Sequence, residues 1–208
     1  MSVLKASKTE WLFFDLGSTL IDETAVYARR VRETVSGSDV SAAEFDAAMQ
    51  RFFAQGLDGY REALACFHLS KTPWHSEDER PYDGCAAVLN VLRARGYRLG
   101  VIANQQPGTA QRLAQWDLLQ HFDVIAASAE LGVEKPGPAI FRWALREAAC
   151  EPENAVMVGD RIDNDILPAK ALGMQTVRIL SGPFAAYRPP DDPADRTIRS
   201  LSELSDLF

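Results

Sequence analysis

Cysteine is scarce in this chain: 3 residues in 208, at Cys66, Cys85 and Cys150. Their odd number and wide spacing exclude a disulfide framework and a zinc-ligand pattern, and point to a reduced, cytoplasmic setting. Long apolar runs are missing too. Nothing approaches the roughly 20 residues of a spanning helix, and the start Met-Ser-Val-Leu-Lys-Ala-Ser-Lys has no signal-type apolar region, so neither a membrane span nor secretion is expected. Positive charge is in deficit, with 22 Lys and Arg against 29 Asp and Glu and a formal net charge of −7. Without a basic stripe such a chain has no general affinity for nucleic acid or anionic membranes, although a local phosphate pocket remains compatible with it. No internal repeat is visible.

What is present is an ordinary apolar content of 47%, enough for one substantial core plus an insertion. Apolar runs at 11–14, 98–103, 123–127, 155–158 and 175–179 alternate with helix-length segments near 108–118 and 138–149. That alternation predicts βαβ crossovers with right-handed connections and a parallel sheet, hence an α/β fold. Residues 23–70 show no strand-like alternation and carry helix formers, with Gly37, Ser41 and Gly56 as breaks between about three helices. A helical cap is therefore expected at residues 22–80, inserted after the first strand, with residues 1–21 and 81–208 forming the Rossmann-like three-layer core. Pro138 suits the first turn of its helix, and Pro168 the start of the helix after Asp165. Ser181 to Asp195, rich in proline, reads as a long surface loop before a short strand and a final helix around Leu201–Leu207.

Polar residues stand at the ends of the apolar runs: Asp15 after Trp11-Leu12-Phe13-Phe14, Asn104 after the 98–103 run, and Asp160 after Val156-Met157-Val158-Gly159. Lys135 lies between the last two, in Glu-Lys-Pro. Carboxyl ends of parallel strands line the crevice where such sheets bind ligands, so these four positions are expected to form one site. A carboxylate at a strand end, followed by glycine and small hydroxyl residues, suits Asp15 for nucleophilic attack on phosphorus. Asp160 and Asp165, five apart at a strand-to-helix junction, suit a hard divalent ion, magnesium, with one carboxylate reaching the ion and the other supporting it. Lys135 adds positive charge for phosphoryl oxygens. The plainer readings are turn or cap for Asp15, Asp163 and Asn164, and a solvated loop for Lys135.

The motifs Phe14-Asp15-Leu16-Gly17-Ser18-Thr19-Leu20 and Val158-Gly159-Asp160-Arg161-Ile162-Asp163-Asn164-Asp165-Ile166, with Lys135 before Pro136, resemble the haloacid dehalogenase-like hydrolase superfamily over nearly the whole chain. The resemblance implies a phosphatase-like hydrolase acting through an aspartyl-phosphate on Asp15. It also implies magnesium held by Asp15, the main-chain carbonyl of Gly17 and Asp160, near Asp165. Thr19, Asn104 and Gln105 are then candidates for substrate binding. The expected partner is a small phosphorylated metabolite, met by a monomer or homodimer.

Two motif positions depart from the pattern. Gly17 stands where the superfamily's phosphatases carry the aspartate that protonates the leaving alcohol, and Ala103 replaces a phosphate-binding hydroxyl. General acid-base help is worth about 10²–10⁴-fold, so an alkyl phosphate would require a substitute, whereas an acyl or aryl phosphate depends on it least. Asp22, Glu23, His68 and His75 are candidates by location, with a surface role the plainer reading of each. Two alternatives follow: a 2-haloacid dehalogenase, disfavoured by the acidic pair and by Gly17, and a phosphoryl-ligand-binding module without turnover.

Overall fold

The computed structural model describes residues 9–208. At its centre is β1 (Trp11–Phe14), whose Trp-Leu-Phe-Phe sequence is apolar on both faces because both faces are covered. Leu12 and Phe14 join one apolar cluster with Val88, Leu89 and Leu92, while Trp11 and Phe13 join another with Ile140, Phe141 and Ala144. Side chains alternate along a strand, so one short segment nails two helical layers to the same sheet. Each such fully buried side chain contributes on the order of 1.5–3 kcal/mol through loss of apolar surface from water. The packing is tight at the neighbouring strand: a Cβ at Gly100 would lie 2.6 Å from the Phe13 ring.

Around β1 runs a six-stranded parallel sheet, completed by β4 (Arg98–Ala103), β5 (Val124–Ala127), β6 (Ala155–Gly159), β7 (Gln175–Ile179) and β8 (Arg196–Ile198), in the order β5-β4-β1-β6-β7-β8. The helix α4 (Cys85–Ala94) covers one face, and α7 (Pro138–Glu147) the other. Pro138 occupies the first turn of α7, where its missing N–H costs nothing. The short helices α5 (Thr109–Gln115), α6 (Ser128–Leu131), α8 (Leu167–Ala171) and α9 (Leu204–Leu207) complete the layers. The fold is the expected α/β architecture with a parallel sheet. No described helix is long and apolar enough to cross a membrane.

Between β1 and α4 the chain forms β2 (Ile21–Asp22) and β3 (Arg80–Pro81), a two-stranded antiparallel ribbon. Everything between those two strands is helical or irregular: α1 (Thr24–Val35), α2 (Ala42–Phe53) and α3 (Gly59–Phe67). A capping box in which the Ser41 hydroxyl accepts from Glu44 N–H opens α2, and the Asp58 side chain opens α3 by accepting from Arg61 N–H. Their apolar faces meet in a separate cluster of Val31, Phe45, Met49, Phe53, Tyr60 and Ala63. Sequence periodicity does not reveal the ribbon, since two-residue strands have no period to read.

The segment from Ser181 to Asp195 runs over the surface as expected, with one short turn at Pro183–Ala186, but it is anchored at particular residues. Phe184 is buried in the helical cluster and meets Phe53 edge-on at 4.9 Å between ring centroids. Arg178, only 1% exposed, reaches from β7 to the Tyr187 carbonyl at 3.0 Å and to Asp192 at 3.2 Å. The prolines that suggest a loop mark a strap tying the sheet to the helices.

Candidate active site

Strand order brings the ends of β1, β4 and β6 side by side, and with them Asp15, Asn104 and Asp160. A cleft of about 550 Å³ opens there, with Asp15, Gly17, Asn104, Lys135, Asp160 and Asp165 in its lining. Lys135 arrives from the segment after α6, and its ammonium donates at 2.6 Å both to Asp15 Oδ1 and to Asp165 Oδ1. Burial works against that ammonium, but Asp15 and Asp165 outweigh it and hold its pKa above the ordinary lysine range. The cation stays charged where a lone buried lysine would lose its proton.

Asp165 is fully buried, and its second oxygen accepts from Arg161 N–H at 3.0 Å. It fits because position 159 is glycine: a Cβ there would lie 2.6 Å from Asp165 Cβ. The Asp160 carboxylate, by contrast, makes no hydrogen bond or ion pair among the described residues, although it is 3% exposed. Burial first, then Asp165 and Asp15, push its pKa well above the usual carboxylate range. One oxygen from each of Asp15, Asp160 and Asp165 lies within 4.8 Å of the others. Three carboxylates against one lysine leave an excess of negative charge, and oxygen donors so clustered are the set a hard divalent cation takes. The residues therefore fit magnesium.

The candidate substrate contacts are distributed differently. Asn104 lines the cleft, yet its amide is spent on Lys135: Nδ2 donates to the Lys135 carbonyl at 2.9 Å and Oδ1 accepts from Lys135 N–H at 2.8 Å. It positions the lysine. Gln105 also lines the cleft, where its Oε1 accepts from Arg112 at 2.9 Å and its main-chain N–H donates to the Ser128 hydroxyl at 3.0 Å. Thr19 does not line the cleft: it is wholly buried, and its hydroxyl has no hydrogen-bond partner among the described residues. The side-chain contact with substrate expected of it is not available from that position.

Of the four acid-base candidates, three are occupied elsewhere. Asp22 accepts from Thr24 N–H at the start of α1, His68 ends α3 in a left-handed conformation, and His75 pairs with Glu33 at 2.8 Å. Glu23 alone lines the cleft with Asp15. Ser18, in the left-handed region at φ 57°, donates its hydroxyl to Glu23 Oε2 at 2.9 Å. Burial pushes the Glu23 carboxyl up to about 8, against the lowering effect of that hydrogen bond. Ser128, Arg112 and Glu79 line the cleft without belonging to a motif, and Trp74, whose type suggests a core or interface residue, lines it too. Trp74 Nε1 donates to Glu79 at 2.7 Å, while Arg112 faces the other Glu79 oxygen at 3.8 Å.

Comparison with known proteins agrees with this geometry. The haloacid dehalogenase-like hydrolase family matches residues 12–179. The chain is similar to a glyceraldehyde 3-phosphate phosphatase of Methanocaldococcus jannaschii, with 40% identity over 134 residues covering 62% of this chain and 56% of that protein. It is also similar to the human haloacid dehalogenase-like hydrolase domain-containing protein 3, at 33% identity over 162 residues, or 76% of this chain and 64% of that one. The chain thus spans little more than half the length of the first of these relatives. Among solved structures, the magnesium-bound HAD-hydrolase YfnB from Bacillus subtilis shares the fold, with a TM-score of 0.69, 19% identity and coverage of 96% of this chain and 98% of that one.

Proposed function

The chain belongs to the haloacid dehalogenase-like hydrolase family, and we propose that it is a magnesium-dependent phosphatase acting on a small phosphorylated metabolite through an aspartyl-phosphate on Asp15. The observation that carries this reading is the buried arrangement in which Lys135 holds one Asp15 oxygen at 2.6 Å while the Asp160 carboxylate stands nearby without a partner among the described residues. Relatives named for hydrolysis of glyceraldehyde 3-phosphate and phosphoserine support the substrate class.

Lys135 restrains Asp15 and supplies positive charge to the phosphoryl oxygens, so nucleophile and phosphate meet without mutual repulsion deciding the outcome. Asp165 and Asn104 fix Lys135 from two sides, one through its ammonium and one through its main chain. Asp15, the Gly17 carbonyl and Asp160 would hold magnesium, with Asp165 in support. Bound there, the ion would neutralise the phosphate and the acidic cluster during in-line attack. The Asp15 carboxylate oxygen bonds to phosphorus as the ester oxygen leaves, and water then returns Asp15 and releases phosphate. The segment between β2 and β3 brings Tyr27 of α1, and Trp74 and Glu79 from the chain after α3, into the lining of the cleft, where they would select the substrate and limit water. A 2-haloacid dehalogenase has no comparable use for a buried acidic trio.

The test is phosphate release from triose phosphate, phosphoserine, sugar phosphates, aryl phosphate and acetyl phosphate, with and without magnesium, for the parent and Asp15→Asn. Magnesium-dependent turnover that Asp15→Asn abolishes is the expected result. Phosphate binding without turnover of any substrate would favour a binding module.

A further inference from the structure

Gly17 leaves the phosphatase reading without a proton donor in the motif itself, and the space beside Gly17 is filled by another residue. A Cβ built at position 17 would lie 2.9 Å from the Glu23 Cδ and 3.1 Å from its Oε2. The carboxyl group of Glu23 thus stands in the volume that an aspartate side chain at position 17 would take. We propose that Glu23, delivered from the start of α1, is the general acid and base of this site in place of the missing aspartate, a role that rests on the phosphatase reading above.

The structural alternatives are filled by other groups. Glu23 precedes α1 at the N-cap position, yet its side chain makes no capping hydrogen bond, and Asp22 accepts from Thr24 N–H instead. No Lys, Arg or His pairs with it among the described residues; its side-chain partner is the Ser18 hydroxyl at 2.9 Å. Ser18 fixes one oxygen and leaves the carboxyl beside Asp15 in the cleft. A carboxyl held by a neutral hydroxyl can give and take a proton, which a carboxylate locked by an arginine could not do readily.

In the first step an Asp15 oxygen bonds to phosphorus, the bond from phosphorus to the ester oxygen breaks, and the Glu23 proton passes to that oxygen, so the alcohol leaves neutral. In the second, the Glu23 carboxylate takes a proton from water as the water oxygen bonds to phosphorus. The bond from phosphorus to Asp15 then breaks, and inorganic phosphate leaves. Atoms and charge balance over the cycle, and Glu23 ends protonated as it began.

The experiment compares the parent, Glu23→Gln, Glu23→Ala and the double variant Gly17→Asp with Glu23→Ala, all with magnesium, on glycerol 1-phosphate and acetyl phosphate. Circular dichroism checks that each is folded. Glu23→Gln should lower turnover of the alkyl phosphate by about 10²–10⁴-fold. Single-turnover phosphorylation from labelled acetyl phosphate should fall far less, because that leaving group needs no proton, and labelled enzyme should accumulate. The double variant should regain alkyl phosphate turnover over Glu23→Ala, as the aspartate takes the vacated volume. Unchanged alkyl turnover in Glu23→Gln, equal losses on both substrates at the phosphorylation step, or a double variant no better than Glu23→Ala would each overturn the assignment. A parent that neither takes label nor releases phosphate from acetyl phosphate would instead overturn the role of Asp15, and that of Glu23 with it.

Discussion

The molecule buries two polar networks, one at the strand ends and one inside the helical insertion, and they are built on opposite principles. In the insertion the groups are neutral or dispersed: Thr34, Tyr60 and Thr72 share hydroxyl hydrogen bonds of 2.7–3.2 Å, and the Arg30 guanidinium lies 3.8 Å over the Tyr60 ring. The three hydroxyls satisfy one another and tie α1 and α3 to the segment that follows α3, while the buried Arg30 Nε makes no hydrogen bond among the described residues. At the strand ends Lys135 answers two carboxylates, and the Asp160 carboxylate beside them has no partner among the described residues. Burial of uncompensated charge is tolerated where something else in the functional cycle compensates it. Polar burial thus has two meanings here, and the partner count of each group separates them.

The sharpest way to break that contrast is to remove the ammonium that two of the carboxylates share. Lys135→Met should abolish turnover and lower the stability of the metal-free protein by about 3–5 kcal/mol, because Asp15 and Asp165 lose their shared partner inside the protein. Chemical denaturation with and without magnesium checks this, and an unchanged midpoint would show that the trio does not need the lysine.

In the insertion the corresponding insult is apolar. Phe53 is buried between Tyr27 and Phe184, so Phe53→Ala should cost about 3 kcal/mol and loosen the strap as well as the helices. If the site chemistry lives in the core, labelling of Asp15 by acetyl phosphate should survive this change while KM for larger substrates rises. Loss of labelling in a folded variant would contradict the division of labour.

Asn104→Ala is intermediate. It removes the two hydrogen bonds that hold the Lys135 main chain, and should cost about 2 kcal/mol. Turnover should fall through displacement of the lysine, with kcat affected more than KM; an effect confined to KM would make Asn104 a substrate contact after all.

The smallest effect is expected far from both networks. Burial opposes ionisation of Asp195, but hydrogen bonds from Lys170 and Thr176 outweigh it and hold its carboxyl below the usual range. The unfolded chain then binds the proton more readily, so this stabilisation is complete above the ordinary aspartate pKa and is lost as pH falls through the folded value. Asp195→Asn should cost about 1 kcal/mol at neutral pH and flatten the acid limb of the stability profile, as thermal melts between pH 2 and 7 would reveal.

The two regions were not equally legible in the amino-acid order. Core strands announce themselves because a buried parallel strand is apolar throughout, as Trp11–Phe14 and Ala155–Gly159 are, and because a charged residue then stops the run. Asp15 and Asp160 could be found that way. The helices of the insertion were legible from their breaks at Gly37, Ser41 and Gly56, but the partners of Phe184 were not, since a lone aromatic in a proline-rich stretch has no periodicity. Glu23 was visible as a nearby acid and no more. Its relevance depends on a side chain absent from position 17, a relation between two residues that exists only once the turn from Leu16 to Ile21 has folded. Asn104 shows the other limit: its type suggests a ligand contact, and only the folded chain reveals that both ends of its side-chain amide engage the Lys135 main chain at the cleft.

The position of β1 carries a consequence for biosynthesis. Its sheet partners are residues 98–101 on one side and 155–158 on the other. At about 5–20 residues per second, the ribosome makes the most apolar early segment of this chain on the order of 10 s before the later of those partners exists. During that interval Trp11-Leu12-Phe13-Phe14 has two unsatisfied edges and two uncovered faces, the state in which a nascent strand is most prone to pair with another chain. The helical insertion, with its local contacts, can fold in the meantime and leave the central strand waiting. A chain so ordered places Asp15 at the end of the segment that is synthesised early and secured late, so the cleft at the strand ends is completed only after residues 155–158 have joined the sheet.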